Sequence, residues 1–350
     1  MLSRIGSGWV TSSSSAAAQI QQQIPIIFRI DIEPDELFID RSQRLPWKGY
    51  EGAVAFFRSI RAQMAAATKS PVRLCWFFRM DPQIAETYGS PEWAVTEYPS
   101  YVRFFEAHGD EIGLHTHPYR WVSEHDRWCL DHANQEWVDH CVRMSFASYR
   151  RIFGRDCLSF SFGDRWMNDA TLTLLESLGA RFEFTVEPGY EERPSHHMHE
   201  LYTGFLPAYT TVPRSPYRPS RFDFRRADLS NESQIWMIPM TTGYFPHGVV
   251  RLLYYTLRGT RVRKSEFRTL NPIHNWKTFQ TIIHQALDGF ERPYLSMVVR
   301  ADVFAKPYLL KNVRANLDWF LRRPDIERFV FATPAEALGI LGLRSLETRT

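Results

Sequence analysis

Asp110-Glu111-Ile112-Gly113-Leu114-His115-Thr116-His117-Pro118-Tyr119 is an apolar, strand-like lead-in that ends in two histidines two residues apart. On an extended backbone, positions i and i+2 face the same way. Both imidazoles therefore converge at one point of a strand end, as a pair of metal ligands must. A carboxylate is needed to complete such a site. Upstream, Phe28-Arg29-Ile30-Asp31-Ile32-Glu33-Pro34-Asp35 is a second apolar run that breaks into acids. Asp31 and Glu33 again share a face. Two histidines and one acid make an open transition-metal site of the kind that activates water.

Outward from these segments, strand-like and helix-like stretches alternate. Strands are expected at Pro25–Ile32, Val72–Phe78, Glu111–His115, Cys157–Phe160, Arg181–Val186, Ile235–Ile238, Tyr294–Val299 and Arg328–Phe331. Helices are expected at Glu51–Ala67, Pro99–His108, Asp131–Phe153, Asp169–Leu178, Asn275–Phe290 and Pro307–Leu321, where apolar residues recur at helical spacing. Repeated β-α units imply parallel strands with helices outside. Seven or eight such strands suit a (β/α) barrel, with residues at the strand C-terminal ends sharing one mouth. Asp31, Glu33, His115, His117, Ser161, Thr241, Arg300 and Asp302 all fall at or just after such ends. Residues 188–222, rich in Pro, Arg and Tyr, read as an insertion over that mouth. The expected organisation is a disordered tail at 1–24, one barrel at 25–342 and a short tail at 343–350.

The order of motifs resembles the polysaccharide deacetylases, the chitooligosaccharide-deacetylase-like carbohydrate esterases. In that family an apolar strand ends in adjacent acids, and a stretch close to G-x-E-I-G-x-H-[ST] follows; here it is Gly109 to Thr116. A third likeness is Phe162-Gly163-Asp164-Arg165-Trp166-Met167-Asn168-Asp169, followed by Leu174-Leu175-Glu176-Ser177-Leu178-Gly179. The last is Phe331-Ala332-Thr333-Pro334-Ala335-Glu336-Ala337-Leu338. The resemblance spans roughly residues 25 to 342. It implies an α/β barrel of that type and a divalent ion, most often zinc. The ion would be held by His115, His117 and an acid of the first motif, with Asp31 or Glu33 as base or ligand. It implies an acylated sugar or polysaccharide as substrate.

The chain departs from the pattern in three places. Tyr119 stands where the family has its second histidine, and His117 is the stand-in. The family's third-motif arginine would fall near Ser161, leaving Arg165 as its displaced substitute. No histidine follows the strand ending at Val299; Arg300 and Asp302 are there instead, spaced to pair, with Asp302 or a histidine of the insertion as candidate acid.

The remaining features are bland. At 350 residues the chain can hold one large barrel, and a net charge of +3 gives no reason to expect a nucleic-acid partner. Aromatic residues make up 15%, which sugar sites use but cores use more often. Cys75, Cys129, Cys141 and Cys157 lack metal or disulfide spacing and read as buried thiols. No signal peptide and no membrane-spanning run is seen, so a cytoplasmic setting is expected. His196, His197 and His199 read as an exposed loop. The run Arg258, Arg261, Arg263, Lys264 and Arg268 reads as a solvated face. His125, His132 and His140 share no spacing. Asp35 reads as a helix cap or turn residue. The expected function is metal-dependent removal of acyl groups from N-acylated sugars. The alternatives are an inactive glycan- or protein-binding barrel, and a glycosidase using paired carboxylates such as Glu33 and Asp302.

Overall fold

A computed structural model describes residues 22–36, 38–194, 201–228, 230, 233–246 and 265–343. The histidines at 196, 197 and 199, the basic run before Arg268 and most of both tails lie outside the described residues.

Eight parallel strands form the central sheet: β1 (Ile24–Ile32), β2 (Cys75–Arg79), β3 (Glu111–Thr116), β4 (Ser159–Phe162), β5 (Phe182–Glu183), β6 (Trp236–Met237), β7 (Leu295–Arg300) and β8 (Phe329–Phe331). Their order is β6-β5-β4-β3-β2-β1-β7, with β8 also on β1. β7 pairs with β1 over Ile26–Asp31. β8 takes Ile24–Ile26 and β2 takes Arg29–Ile32, so these two share the opposite edge of β1. The ends β6 and β7 are not laddered to each other. Single bonds link the segment after β6 to β7: Thr241 N–H donates to the Ser296 carbonyl (3.0 Å) and Ser296 N–H to Thr241 Oγ1 (2.8 Å). The result is the expected α/β barrel, with a seven-strand path and a loosely joined seam.

Alternation along each strand separates two apolar layers. Ile26, Phe28 and Ile30 pack outward against the helices, whereas Ile27, Cys75, Phe77, Phe182, Phe184 and Trp236 fill the barrel. Gly113 makes room for this filling: a Cβ there would lie 2.6 Å from the Phe77 ring and 2.7 Å from the Ser159 carbonyl oxygen. Asp110 anchors the outer layer. It is buried, pairs with Arg61 of the helix Lys48–Thr68 (2.5 Å), and accepts from Leu74 N–H (3.0 Å) and Trp76 Nε1–H (2.8 Å). All four cysteines are free and buried.

The expected helix Asp131–Phe153 needs correcting. Residues 119–122 and 127–131 form an antiparallel hairpin, and the helix starts at Gln135, capped by the Asn134 side chain. Its turn is closed by Asp126 at φ 48°, a conformation Asp tolerates better than most residues. That turn lacks the Gly that marks hairpins in sequence. No described helix is long and apolar enough to cross a membrane.

Glu183 is fully buried on β5, and burial pushes its carboxyl up to about 7 against hydrogen bonds from Thr185. Its folded pKa lies above the unfolded value. Its stabilising contribution is therefore complete below about pH 4.5 and is lost as pH rises through 7. Glu183→Gln removes that dependence. Between pH 5 and pH 8 the wild type should lose about 3 kcal/mol relative to the variant, read from urea melts at both pH values. A stability difference that does not change with pH overturns this.

Candidate metal centre

The two ligand-bearing segments end side by side at the barrel mouth. Arg79 of β2 lies in register with His115, and Asp31 with Phe77 and Arg300. His115, His117, Asp31 and Glu33 are each no more than 4% exposed. The Nε2 atoms of His115 and His117 meet at 3.0 Å. Glu33 Oε1 is 3.9 Å from His115 Nε2, and Glu33 Oε2 is 3.7 Å from His117 Nε2. One donor atom from each of Glu33, His115 and His117 lies within 4.8 Å of the others.

This donor set fits a divalent ion. Two nitrogens on one tetrahedral ion at about 2.0–2.1 Å would be roughly 3.3 Å apart, close to the observed 3.0 Å. Buried Glu33 Oε2 makes no hydrogen bond, a cost that a ligand removes. Burial, and then the neighbouring His117, hold the His115 imidazole well below its ordinary pKa. A neutral ring is the form that ligates.

The surrounding residues fix the His117 ring. Asp164 Oδ2 accepts from His117 Nδ1 at 2.9 Å, which leaves Nε2 free to face the centre. Asp164 (φ 57°) and Arg165 (φ 63°) are both left-handed. Such a conformation costs of order 1–3 kcal/mol per non-Gly residue and is kept where it aims a side chain. Gly163 before them is required, because a Cβ there would lie 1.9 Å from His117 Cε1. Asp81 forms a two-point pair with buried Arg79 (both contacts 2.8 Å) and accepts from the His117 backbone N–H (3.3 Å). Tyr119, at the position of the family's second histidine, stacks on His117 at 5.4 Å.

Asp31 stands apart from the converging donors. Its Oδ1 is 3.9 Å from His115 Nδ1 and 2.9 Å from Arg29 Nε. Burial raises its carboxyl to about 6, with Arg29 pulling the other way. Arg29 also donates to Ser161 Oγ (2.6 Å) and to the Phe184 carbonyl (3.1 Å). A guanidinium therefore does reach Ser161, but it comes from β1. Arg165, the expected substitute, lies on the Tyr190 ring (4.0 Å) and 3.7 Å from Glu187, and none of its contacts is with Asp31, Glu33 or either histidine.

Arg300 and Asp302 do pair, at 3.4 Å, but each has a nearer partner. Arg300 Nε is 2.7 Å from Glu33 Oε1, and Lys306 Nζ is 2.6 Å from Asp302 Oδ2. The Arg300 side chain, 34% exposed, carries the group to the surface. Asp35 accepts from the backbone N–H of Lys48 (3.0 Å) and Gly49 (2.8 Å), so it serves the start of the helix Lys48–Thr68 from a separate segment, the N-cap position itself being Trp47. Sequence reading missed Arg29, Arg79, Asp81 and Asp164. Only Asp164 had a visible signal, its place beside the glycine of the third motif.

No family model and no curated protein matches this sequence. Among solved structures, a "putative glycoside hydrolase/deacetylase" from Parabacteroides distasonis matches with a TM-score of 0.54 and 15% identity, over 89% of this chain and 69% of that one. A "probable polysaccharide deacetylase" from Pseudomonas aeruginosa reaches 0.49 at 13% identity, over 91% of each chain. The PuuE allantoinase reaches 0.48 at 12% identity, over 94% of each. The last two scores are too low to argue from. The first establishes the fold alone, the deacetylase-type (β/α) barrel that the motifs imply.

If Glu33, His115 and His117 form one site, the untagged protein takes up about one equivalent of divalent transition metal. The double variant His115→Ala, His117→Ala should bind none, by elemental analysis after dialysis. Stoichiometric metal surviving in that variant rules the site out.

Proposed function

We infer that the chain is a metal-dependent hydrolase that removes an acyl group from an N-acylated sugar. The observation that carries this reading is the convergence of Glu33, His115 and His117 at a barrel mouth, with a second buried carboxyl, Asp31, left out of the donor set. A bound divalent ion, zinc being the expected one, would supply a water of lowered pKa and polarise the acyl carbonyl.

This chain's own residues do the rest. Glu33, His115 and His117 hold the ion. Asp164 keeps the His117 tautomer with Nε2 inward. Asp31 accepts the proton of the attacking water. Its pKa of about 6 is near the working range of a general base, and its 3.9 Å separation from His115 Nδ1 leaves it uncommitted to the imidazole. Arg29 steadies Asp31 from the barrel side. Arg300 offsets the Glu33 charge and lines the exposed side. Asp302, ion-paired with Lys306 and Arg300, is a positioning group and not the donor to the leaving amine; the proton that Asp31 takes from the water passes to that nitrogen as the C–N bond breaks. A glycosidase reading has less support, because it gives the converging histidines no task.

The test is release of acetate from an N-acetylated oligosaccharide by the zinc-loaded protein, compared with Asp31→Asn. The variant should keep its metal and lose roughly 10²–10⁴-fold in turnover. A base must be deprotonated to act, so wild-type kcat/KM rises with pH through Asp31's pKa, at or below about 6 once a cation is near. That acid limb should be absent from the variant's residual activity. Full activity in Asp31→Asn removes it from the mechanism, and loss of metal makes it a ligand instead.

A further inference from the structure

Residues 201–228, which run through and just past the insertion, carry five arginines against two aspartates. Their net charge of +3 equals that of the whole chain. The same stretch supplies three of the ten exposed large hydrophobic residues among the described ones: Tyr202 (42%), Phe205 (60%) and Phe222 (94%).

Phe222 sits at the tip of a braced loop. The Arg218 carbonyl accepts from Asp228 N–H (2.9 Å) and the Arg226 carbonyl from Ser220 N–H (2.9 Å), with Pro219 and Ala227 bridged antiparallel. Phe224, two residues on, turns inward. It is buried and edge-on to Tyr209 (6.2 Å), its N–H donates to Asp169 Oδ1 (2.7 Å), and its carbonyl accepts from the Tyr217 hydroxyl (2.8 Å). A chain pinned on both sides of Phe222 holds that ring out in water, at a cost in hydrophobic free energy. A ring that serves as a stacking platform has one face backed by the fold. Phe222 has neither face backed, so it is built to be immersed.

Cations surround it. Arg221 and Arg226 are exposed and Arg225 is half-buried. Asp223 lies 2.7 Å from Arg225 and 3.4 Å from Arg226, so one acid steadies two guanidiniums and positive charge stays in excess. Arg214 and Arg218 turn inward to the Thr242 and Ser233 carbonyls, which are neutral and leave both charges in the local field. An aromatic peg in a basic collar matches the two parts of a lipid interface, an apolar layer and anionic head groups. The loop lies on the mouth side of the barrel. Asp169 opens the helix Asp169–Ser177 that follows β4, and Tyr209 of the same stretch donates to the Arg165 carbonyl (2.6 Å).

We propose that this loop docks the protein on an anionic lipid bilayer, with Phe222 immersed at the head-group level and Arg221, Arg225 and Arg226 on the phosphates. Docking needs neither bound metal nor turnover, so it stands or falls apart from the hydrolase reading. Because the loop borders the mouth, docking brings the metal centre close to the membrane surface.

Cosedimentation of the full chain with vesicles of phosphatidylcholine alone, and of phosphatidylcholine mixed with phosphatidylglycerol, tests this. The wild type should bind the mixed vesicles, bind phosphatidylcholine at least about tenfold more weakly, and come off at about 0.5 M salt. Phe222→Ala should weaken binding to mixed vesicles at least about tenfold, the scale of one buried phenyl ring, and Phe222→Trp should retain it. The double variant Arg225→Gln, Arg226→Gln should weaken it as well, and stands in if Phe222→Ala does not fold. A fluorophore sensitive to its environment, attached to Phe222→Cys, reads immersion directly, because the four native cysteines are buried. Its emission should shift to the blue on mixed vesicles and not with polyuridylate or heparin. The proposal fails if the wild type does not bind mixed vesicles, if Phe222→Ala and the double arginine variant bind as tightly as wild type, or if the label does not shift on bound vesicles. Tighter binding to a soluble polyanion than to vesicles, without the shift, makes the loop a polyanion site and also overturns it.

Discussion

Charge taken out of water must be paired or used, and at this barrel mouth that constraint shapes everything around it. Asp31, Glu33, His115 and His117 are all sealed from solvent. Arg29 neutralises Asp31 from below, and Arg300 neutralises Glu33 from the outer rim. What remains without a hydrogen bond includes His115 Nδ1 and one Glu33 oxygen, the latter facing two imidazole nitrogens 3.0 Å apart. The cationic partners prevent the acids from repelling each other enough to open the mouth. They also leave one direction in which a cation or a hydrogen-bond donor would lower the energy.

The histidine pair and the acids of the first motif were legible because a period of two is a local property of extended chain. His115 and His117, or Asp31 and Glu33, needed no knowledge of the rest of the fold to be placed on one face. The barrel was legible for a related reason, since alternating β and α segments allow few arrangements. The hairpin at 119–131 was hidden. Its strands are short, its turn relies on Asp126 in place of glycine, and Asp131 looks like a helix start until Arg120 (2.8 Å) and Thr203 (2.6 Å) are seen to bind it. The partners of Asp35 lie 13 and 14 residues away, beyond the short reach of an N-cap side chain, so sequence alone does not show which helix it serves.

The residues that brace the centre were not legible for a physical reason. Arg29 lies in an otherwise apolar strand, and its partner Ser161 is 132 residues away. Arg79 and Asp81 read as an ordinary strand-end pair until the His117 backbone is found on Asp81. Such interactions are set by the register between strands, β1 with β2 and β3 with β4, and a single sequence does not carry register.

Arg29 and Ser161 show how strands that are not neighbours in the sheet still meet inside a barrel. Inward-facing positions on all of its strands empty into one interior. A guanidinium can therefore be delivered to the same place from more than one strand, provided its long side chain spans the gap. Here β1 supplies the arginine, and Ser161 on β4 accepts from it at 2.6 Å. Arg165, the residue expected from sequence to bring a guanidinium, stacks on Tyr190 instead. The charge inside the barrel is thus set by which side chains reach the interior, and their place along the sequence does not disclose it.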